Sequence, residues 1–496
     1  MGDGRVSGRR VGAAGAEDLL RPEALADLLG GRLPAGPLPA GTGVAYDSRR
    51  VRPGDVFFAR GGSSGHGIEH ADEALADGAA FVVSDVPHPR AVLVEDTWAA
   101  LAALASAARG LLASPVVGVT GSAGKTTVKT LLTAALGGRS TPGNLNTVPA
   151  LAAALVEAAR TEAGLDVPGG DLAGAGAPGS PLVLELGVDH PGEMDELVAI
   201  TRPDHAVLTT VGESHLSRLG DVASVAREKA ALLAAAPGAR VAGEAASRHL
   251  PPDVLRRTHV TRLLPPADGD GEPGPRACPP LGEVAGRLQG LTLRAFGLAF
   301  DLPWPGRAMA ENALLALTTA RLLGVPPAAA FPAMAAARLE KGRLRRLRLR
   351  EVTVIDDSYN SNPLSAALAL EVLASSPPPR AAFLGDMREL GEVSRPRHLE
   401  LGAATRDLDL VVAIGEEAAA LAEANPRARH VPTWREAAGL LDLVPPGATV
   451  LVKGSRSLEL ENLVAALTER FGPEAGAGDE AGEASGGAAA RDGGRR

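Results

Sequence analysis

Gly118-Val119-Thr120-Gly121-Ser122-Ala123-Gly124-Lys125-Thr126-Thr127 is the stretch on which the reading of this chain turns. It lies between an apolar run, Val116-Val117-Gly118-Val119, and an Ala/Leu-rich stretch of helical character. A glycine-rich turn from a buried strand into a helix gathers backbone N–H groups around one spot. The helix N-terminus adds a potential that favours anions there. Lys125 stands where an ammonium reaches the β- and γ-phosphates of a nucleotide, and Thr126 where a hydroxyl meets Mg2+. The strict pattern needs glycine at position 119, where this chain has valine, so the loop is a shorter-spaced variant. Its reading is a nucleoside triphosphate site, ATP with Mg2+, built on Gly121, Ser122, Ala123, Gly124, Lys125, Thr126 and Thr127.

Outward from that loop, short apolar runs alternate with helical stretches. Leu182-Val183-Leu184 and Ala206-Val207-Leu208 read as buried strands, and so do Val352-Thr353-Val354-Ile355 and Ala381-Ala382-Phe383-Leu384. Val411-Val412-Ala413-Ile414 and Thr449-Val450-Leu451-Val452 complete the set. Such alternation predicts parallel sheets covered on both faces, the α/β class. Glu185 follows the second run at the carboxyl edge of the sheet, where α/β folds place ligands and where one carboxylate suits Mg2+. His215 follows the third run, and Glu228-Lys229 lies on the helix beyond it. His66 and His70 share i, i+4 spacing but lack the glutamate of a zincin motif, so no metal is assigned to them.

At 496 residues the chain has room for about three domains. Boundaries fall near 114 and 338, giving domains at 17–114, 115–338 and 339–472 between tails at 1–16 and 473–496. The tails lack hydrophobic periodicity and read as disordered. Gly/Pro-rich stretches at 162–181 and 264–281 read as surface insertions. Hydrophobic residues make up 45% and charged ones 22%, enough to bury real cores. A net charge of −9 with 3% aromatics argues against nucleic acid as a partner. No apolar run approaches the roughly 18 residues of a membrane span, and the N-terminus lacks a signal-peptide core. A single cysteine, Cys278, fits a reducing cytoplasm.

Five lysines (Lys125, Lys129, Lys229, Lys341 and Lys453) stand against 45 arginines. Where either cation serves, this chain uses arginine. The remaining lysines are therefore candidates for positions that need a compact ammonium or a reactive amine. For Lys129 and Lys341, chance survival is as good a reading as function. In the last third, Asp356-Asp357-Ser358-Tyr359-Asn360-Ser361-Asn362-Pro363 holds two of seven asparagines and one of two tyrosines. Gly385-Asp386-Met387-Arg388-Glu389 and Lys453-Gly454-Ser455-Arg456 follow two other strands. Three polar loops at strand ends of one sheet would line a single crevice.

Together these pieces resemble the Mur ligase family of peptidoglycan synthesis, from about residue 47 to residue 471. The likeness includes Asp47-Ser48-Arg49, Pro53-Gly54-Asp55, the 121–127 loop, Gly143-Asn144-Leu145-Asn146 and Glu185-Leu186-Gly187. It continues through Thr201-Arg202-Pro203, Gly342-Arg343, the 357–363 loop, Gly385-Asp386-Met387 and Lys453-Gly454-Ser455-Arg456. It is greatest to the branch that adds D-alanyl-D-alanine. The resemblance implies an N-terminal UDP-sugar-binding α/β domain, a central ATPase-like parallel sheet and a C-terminal Rossmann-like domain. It further implies an ATP-dependent ligase acting on UDP-MurNAc-tripeptide and D-Ala-D-Ala through an acyl phosphate, as a cytoplasmic monomer.

By the same resemblance His215 helps hold a second Mg2+, and Lys229 is carbamylated to a metal-bridging carboxylate beside Thr126 and Glu185. Asn312 lines the adenine pocket, Arg343 meets the γ-phosphate and Asp357 the ribose. Ser48, Asn146 and Thr147 face the UDP-muramoyl peptide, while Asp386, Lys453 and Arg456 lie towards the acceptor. The chain departs from the family pattern at four places: Gly306-Arg307-Ala308-Met309, Thr147-Val148-Pro149, Ala242-Gly243-Glu244 and Ser64. Two alternatives are a sister ligase adding the third amino acid and a catalytically silent paralogue. The sister's Asp-Asn-Pro-Arg motif has only Ala424-Asn425-Pro426-Arg427 as its nearest match, which lacks the Asp and sits ahead of a strand.

Overall fold

The computed structural model describes residues 15–62, 65–264 and 281–472. Most of both terminal tails, nearly all of the 264–281 insertion, Ser64 and Cys278 lie outside the described residues. The chain divides into two compact units, Met1–Glu340 with Glu389–Glu392, and Lys341–Arg388 with Val393–Arg496.

The first unit carries two main sheets besides a two-stranded ribbon of Gly61–Gly62 with Gly65–His66. The smaller has four parallel strands in the order β1 (Gly43–Ala45), β2 (Asp55–Ala59), β3 (Phe81–Ser84) and β4 (Ala91–Leu93). The larger has nine. In chain order these are β5 (Val116–Thr120), β6 (Arg139–Ser140), β7 (Leu182–Glu185), β8 (His205–Leu208) and β9 (Arg240–Gly243). They continue as β10 (His259–Leu264), β11 (Gly282–Gln289), β12 (Thr292–Ala295) and β13 (Leu298–Asp301). Across the sheet the order is β13-β12-β11-β10-β9-β8-β5-β7-β6. All neighbours are parallel except the terminal β11–β12–β13 meander.

Strands β5 and β7 are buried at every position because helices cover both faces, which is why they read as unbroken apolar runs. Helix α1 (Lys125–Leu136) turns Leu131 and Leu132 into the core beside Val117 and Val119. Three further helices carry site residues: α2 (Val148–Glu162), α3 (Val222–Ala235) and α4 (Arg307–Leu322). Helix α4 packs on α1 through Leu314, Leu317 and neighbouring alanines. Leu132 is fully buried in this cluster, so truncating it to alanine would cost about 2–5 kcal/mol.

The second unit is one six-stranded sheet of β14 (Arg345–Arg348), β15 (Thr353–Asp357), β16 (Arg380–Gly385), β17 (Leu410–Ile414), β18 (Arg429–Val431) and β19 (Thr449–Lys453). Its order is β14-β15-β19-β16-β17-β18, with only β14 antiparallel. Strand β19 lies between β15 and β16, with Lys453 in register with Asp357 on one side and Leu384 on the other. The three polar loops of the last third therefore leave adjacent strand ends, as their sequence positions predict. All seven apolar runs singled out in the sequence form strands, which makes this an α/β protein with parallel sheets.

Candidate active site

In the first unit, β5 ends at Thr120 and α1 begins at Lys125, leaving four residues to turn the chain. Gly121 has φ +151°, and a Cβ there would run into the Thr209 hydroxyl. Gly124, at φ +82°, occupies the N-cap of α1 in the left-handed region, and no side chain caps the helix. A Cβ on Gly124 would come within 2.7 Å of Asn312 Oδ1, which places α4 against the loop. This is the backbone cradle that phosphate binding requires.

The loop is fixed from behind by the residues that follow β8. Thr209 Oγ1 donates to Ala123 O at 2.5 Å, and Ala123 N donates to Thr210 Oγ1 at 2.9 Å. Ser122 N donates to Thr210 O at 2.9 Å, and Ser214 Oγ donates to Ser122 Oγ, also at 2.9 Å. Lys125 Nζ folds back to donate to Gly121 O at 2.8 Å.

Beside the loop, Thr126 Oγ1 donates to Glu185 Oε2 at 2.7 Å, and Asn146 Nδ2 donates to Glu185 Oε1 at 3.0 Å. Thr126 and Glu185 are only 3% and 1% exposed. A buried carboxylate and a hydroxyl set edge to edge are the hard oxygen donors that Mg2+ takes, so these residues fit that ion. Lys229, on α3, is 1% exposed, and burial, followed by the Lys125 charge, lowers its amine from the usual 10.5 to about 7. Glu228, next to it, accepts from Gly192 N and Met194 N at 3.0 and 2.8 Å. His215 sits in the left-handed region at φ 55°, with Nδ1 2.5 Å from Glu389 Oε2. Burial pulls its imidazole down, against the Glu389 charge. Nearby in sequence, Asp189, His190 and Glu193 bring ligand atoms within 4.8 Å of one another, but Arg218 already pairs with Asp189.

In the second unit, Lys453 Nζ donates to Asp357 Oδ2 at 2.6 Å and to Asn360 O at 2.9 Å. Burial pushes the Asp357 carboxyl up, with Lys453 the chief opposing charge. Arg343 lies over the Tyr359 ring, its guanidinium carbon 4.0 Å from the centroid, and that of Arg456 lies at 5.7 Å. Two cations on one ring form a positively charged patch beside an aromatic face.

Comparison with known proteins follows the same lines. Residues 119–243 match the Mur ligase middle domain, and residues 342–456 match the Mur ligase, glutamate ligase domain. The chain is 31% identical over 464 residues to the UDP-N-acetylmuramoyl-tripeptide–D-alanyl-D-alanine ligase of Escherichia coli, covering 90% of this chain and 97% of that enzyme. The chain belongs to the Mur ligase family. Among solved Mur ligase structures, MurF from Acinetobacter baumannii superposes with a TM-score of 0.73 at 25% identity, covering 90% of this chain and 98% of that one. MurF from Thermotoga maritima, solved in complex with ADP, gives 0.69 at 27% identity, covering 87% and 98%.

The Mur ligase fold brings together, in the first unit, the 121–127 loop, Glu185, Asn146 and Asn312. The charges of Lys125 and Lys229 act on one another. Asn146, expected to face the muramoyl peptide, spends its amide on Glu185. Thr147 is exposed at the N-cap position of α2, and Ser48 opens the short 48–50 turn, whose cap is Asp47. Asp386 is fully buried: Oδ1 accepts from Ala418 N at 2.8 Å, and Oδ2 accepts from Arg388 at 2.9 Å. It is Arg388 that is half-exposed, so Asp386 positions a cation and does not itself face outward.

Sequence reasoning missed Thr209, Thr210 and Ser214. The signal lay in a polar pair directly after a buried strand, the same signal that singled out Glu185. It also left Lys129 undecided. Lys129 is 1% exposed and donates to Thr141 O and Gly143 O, each at 2.5 Å, which ties the 141–146 loop to α1.

Proposed function

We propose that this chain joins D-alanyl-D-alanine to a UDP-N-acetylmuramoyl-tripeptide, consuming ATP. The observation that carries the reading is the buried Thr126–Glu185 pair at the mouth of a glycine loop, in a chain matching nearly the whole of the E. coli ligase. The 121–127 backbone and Lys125 would hold the triphosphate, with Asn312 beside the base. Asp357 and Arg343 of the second unit are assigned to the ribose and the γ-phosphate. Thr126 and Glu185, with His215 and a carbamylated Lys229, would hold Mg2+, which when bound neutralises phosphate charge. Lys229 is suited to that modification because burial leaves much of its amine neutral near pH 7, and only the neutral amine adds to CO2, releasing one proton.

The tripeptide's terminal carboxylate attacks the γ-phosphorus, the bond to ADP breaks, and an acyl phosphate forms. The neutral amine of the dipeptide then adds to the acyl carbon, phosphate leaves, and the amide nitrogen loses its proton. Both steps gather negative charge on oxygens, so the cation and the N–H groups of the loop contribute most when fixed in advance. The Thr209, Thr210 and Ser214 bonds provide that rigidity.

Ser48, Asn146 and Thr147 are assigned to the donor, with Asp386, Lys453 and Arg456 on the acceptor side. The corresponding domains are 17–114 for the donor, 115–338 for the nucleotide and 339–472 for the acceptor. Dependence on ATP and a single cysteine support a cytoplasmic enzyme. A monomer is proposed as its working form. No helix among the described residues is long and apolar enough to cross a membrane.

The test is phosphate release from ATP and Mg2+ with each substrate alone and together. Release is expected only with UDP-MurNAc-tripeptide and D-Ala-D-Ala both present. Release with a free amino acid but not the dipeptide would assign the sister reaction, and no release under any condition would mark a silent paralogue.

A further inference from the structure

The first unit encloses a cavity of about 60 Å3, lined from one side by Tyr46, Arg50 and Arg52 and from the other by Thr141, Glu157 and Asp171. That is room for a few waters at most, far short of a nucleotide sugar. Thr141 is 1% exposed, and its hydroxyl has no hydrogen-bond partner among the described residues. One wall of the cavity is the Gly/Pro-rich insertion after α2. From it, Asp171 places Oδ1 2.5 Å from Arg52 and Oδ2 3.6 Å from Arg50. Glu157 on α2 fixes that placement, accepting from Asp171 N at 2.7 Å and Leu172 N at 2.9 Å. Burial above all, with the Asp171 charge adding to it, holds the Asp55 and Glu157 carboxyls above their ordinary values. Two guanidinium groups thus sit on the donor side of the proposed enzyme, already covered by a carboxylate of the chain itself.

We propose that Asp171 is a specificity-determining residue that holds the place of the donor's pyrophosphate on Arg50 and Arg52. The proposal rests on the reading of the 47–55 face as the donor side. The ion pairs are half-exposed, a setting in which such pairs are weak and exchange readily. A singly charged ligand that takes Asp171's place merely trades one negative charge for another. A pyrophosphate diester brings two, so it gains attraction that the carboxylate does not supply. The cavity then opens as the 163–181 segment moves off, and the Thr141 hydroxyl gains a partner. Donors without the diphosphate are selected against because they cannot move the insertion.

Titration calorimetry on the full chain, with ADP and Mg2+ saturating the nucleotide loop, tests this. The ligands are UDP-MurNAc-tripeptide and the same muramoyl tripeptide lacking the UDP group. Asp171→Asn keeps the size of the side chain and the Glu157 bonds but removes the charge. It is expected to tighten the UDP ligand three- to tenfold at low salt, to leave the UDP-free ligand unchanged, and to lose most of its effect at high salt. Asp171→Glu is expected to restore wild-type binding, and the KM for ATP should not move in either variant. Unchanged or weaker binding of the UDP ligand by Asp171→Asn overturns the proposal, as does equal tightening of both ligands. If neither the wild type nor the variants bind UDP-MurNAc-tripeptide, the donor reading falls and this proposal with it. Wild-type binding with an indifferent Asp171→Asn removes the proposal alone.

Discussion

Lys229 and Lys453 are buried to almost the same depth, 1% and 2% exposed, yet the two units use them in opposite ways. Lys453 has a carboxylate at 2.6 Å and a carbonyl at 2.9 Å, so its charge is matched where it lies. Lys229 has Lys125 as its strongest charged neighbour, and its amine falls to about 7. Burial alone does not set the state of a lysine; the balance of charges around it also counts. Matched by a carboxylate, Lys453 fastens β19 to β15, while Lys229, beside a second ammonium, holds its proton less tightly.

The sharpest way to break that contrast is Lys229→Arg. Arginine keeps the positive charge but cannot form the carbamate, so phosphate release should fall about a thousandfold while ADP binding by calorimetry stays nearly unchanged. Activity within a few-fold of wild type would leave Lys229 a structural residue like Lys453. In the second unit the matching change is Lys453→Met, which strands the Asp357 carboxylate inside the protein. It should lower unfolding free energy in urea by about 3–5 kcal/mol, with part of the loss recovered by adding Asp357→Asn.

The third prediction follows from proton binding. Lys229 holds its proton less tightly when folded, near pH 7, than in the unfolded chain, where the ordinary value is 10.5. Between those limits the unfolded chain carries the extra proton, so stability rises with pH from about 7 to about 10.5 and is flat below. In CO2-depleted buffer without nucleotide the rise should total on the order of a few kcal/mol, and Lys229→Met should flatten it. A slope that survives that substitution would transfer the effect to another group. The smallest effect concerns the loop that Lys453 holds. Asn362 and Ser365 form a complete capping box at the start of the helix Pro363–Ala374. Asn362→Ala should cost about 1 kcal/mol by thermal melting and leave the KM for ATP within twofold.

What could be read from the sequence was whatever depends on near neighbours along the chain. Strand β5 shows as a run of valines because both its faces are covered, and the glycine loop shows because the turn and the helix that follow it are contiguous. The bond between Thr126 and Glu185 joins residues 59 positions apart, yet Thr126 was identifiable from its glycine loop and Glu185 from its strand end. Asn146 was assigned to the muramoyl peptide and not paired with Glu185, because nothing within its own loop records where the carboxylate lies. Asp386 shows the same limit. It follows a strand as Glu185 does, but its oxygens turn inward to Ala418 N and Arg388, and only three-dimensional packing distinguishes the two acids.

Lys129 shows what such packing demands of a chain rich in arginine. Its ammonium donates to two carbonyl oxygens, each 2.5 Å away, a pairing that suits a compact cation better than a planar guanidinium. Those two contacts fasten the loop bearing Asn146 to the rod bearing Lys125. At this position the scarce cation thus acts as a spacer, holding loop and helix at the reach of one small charged group.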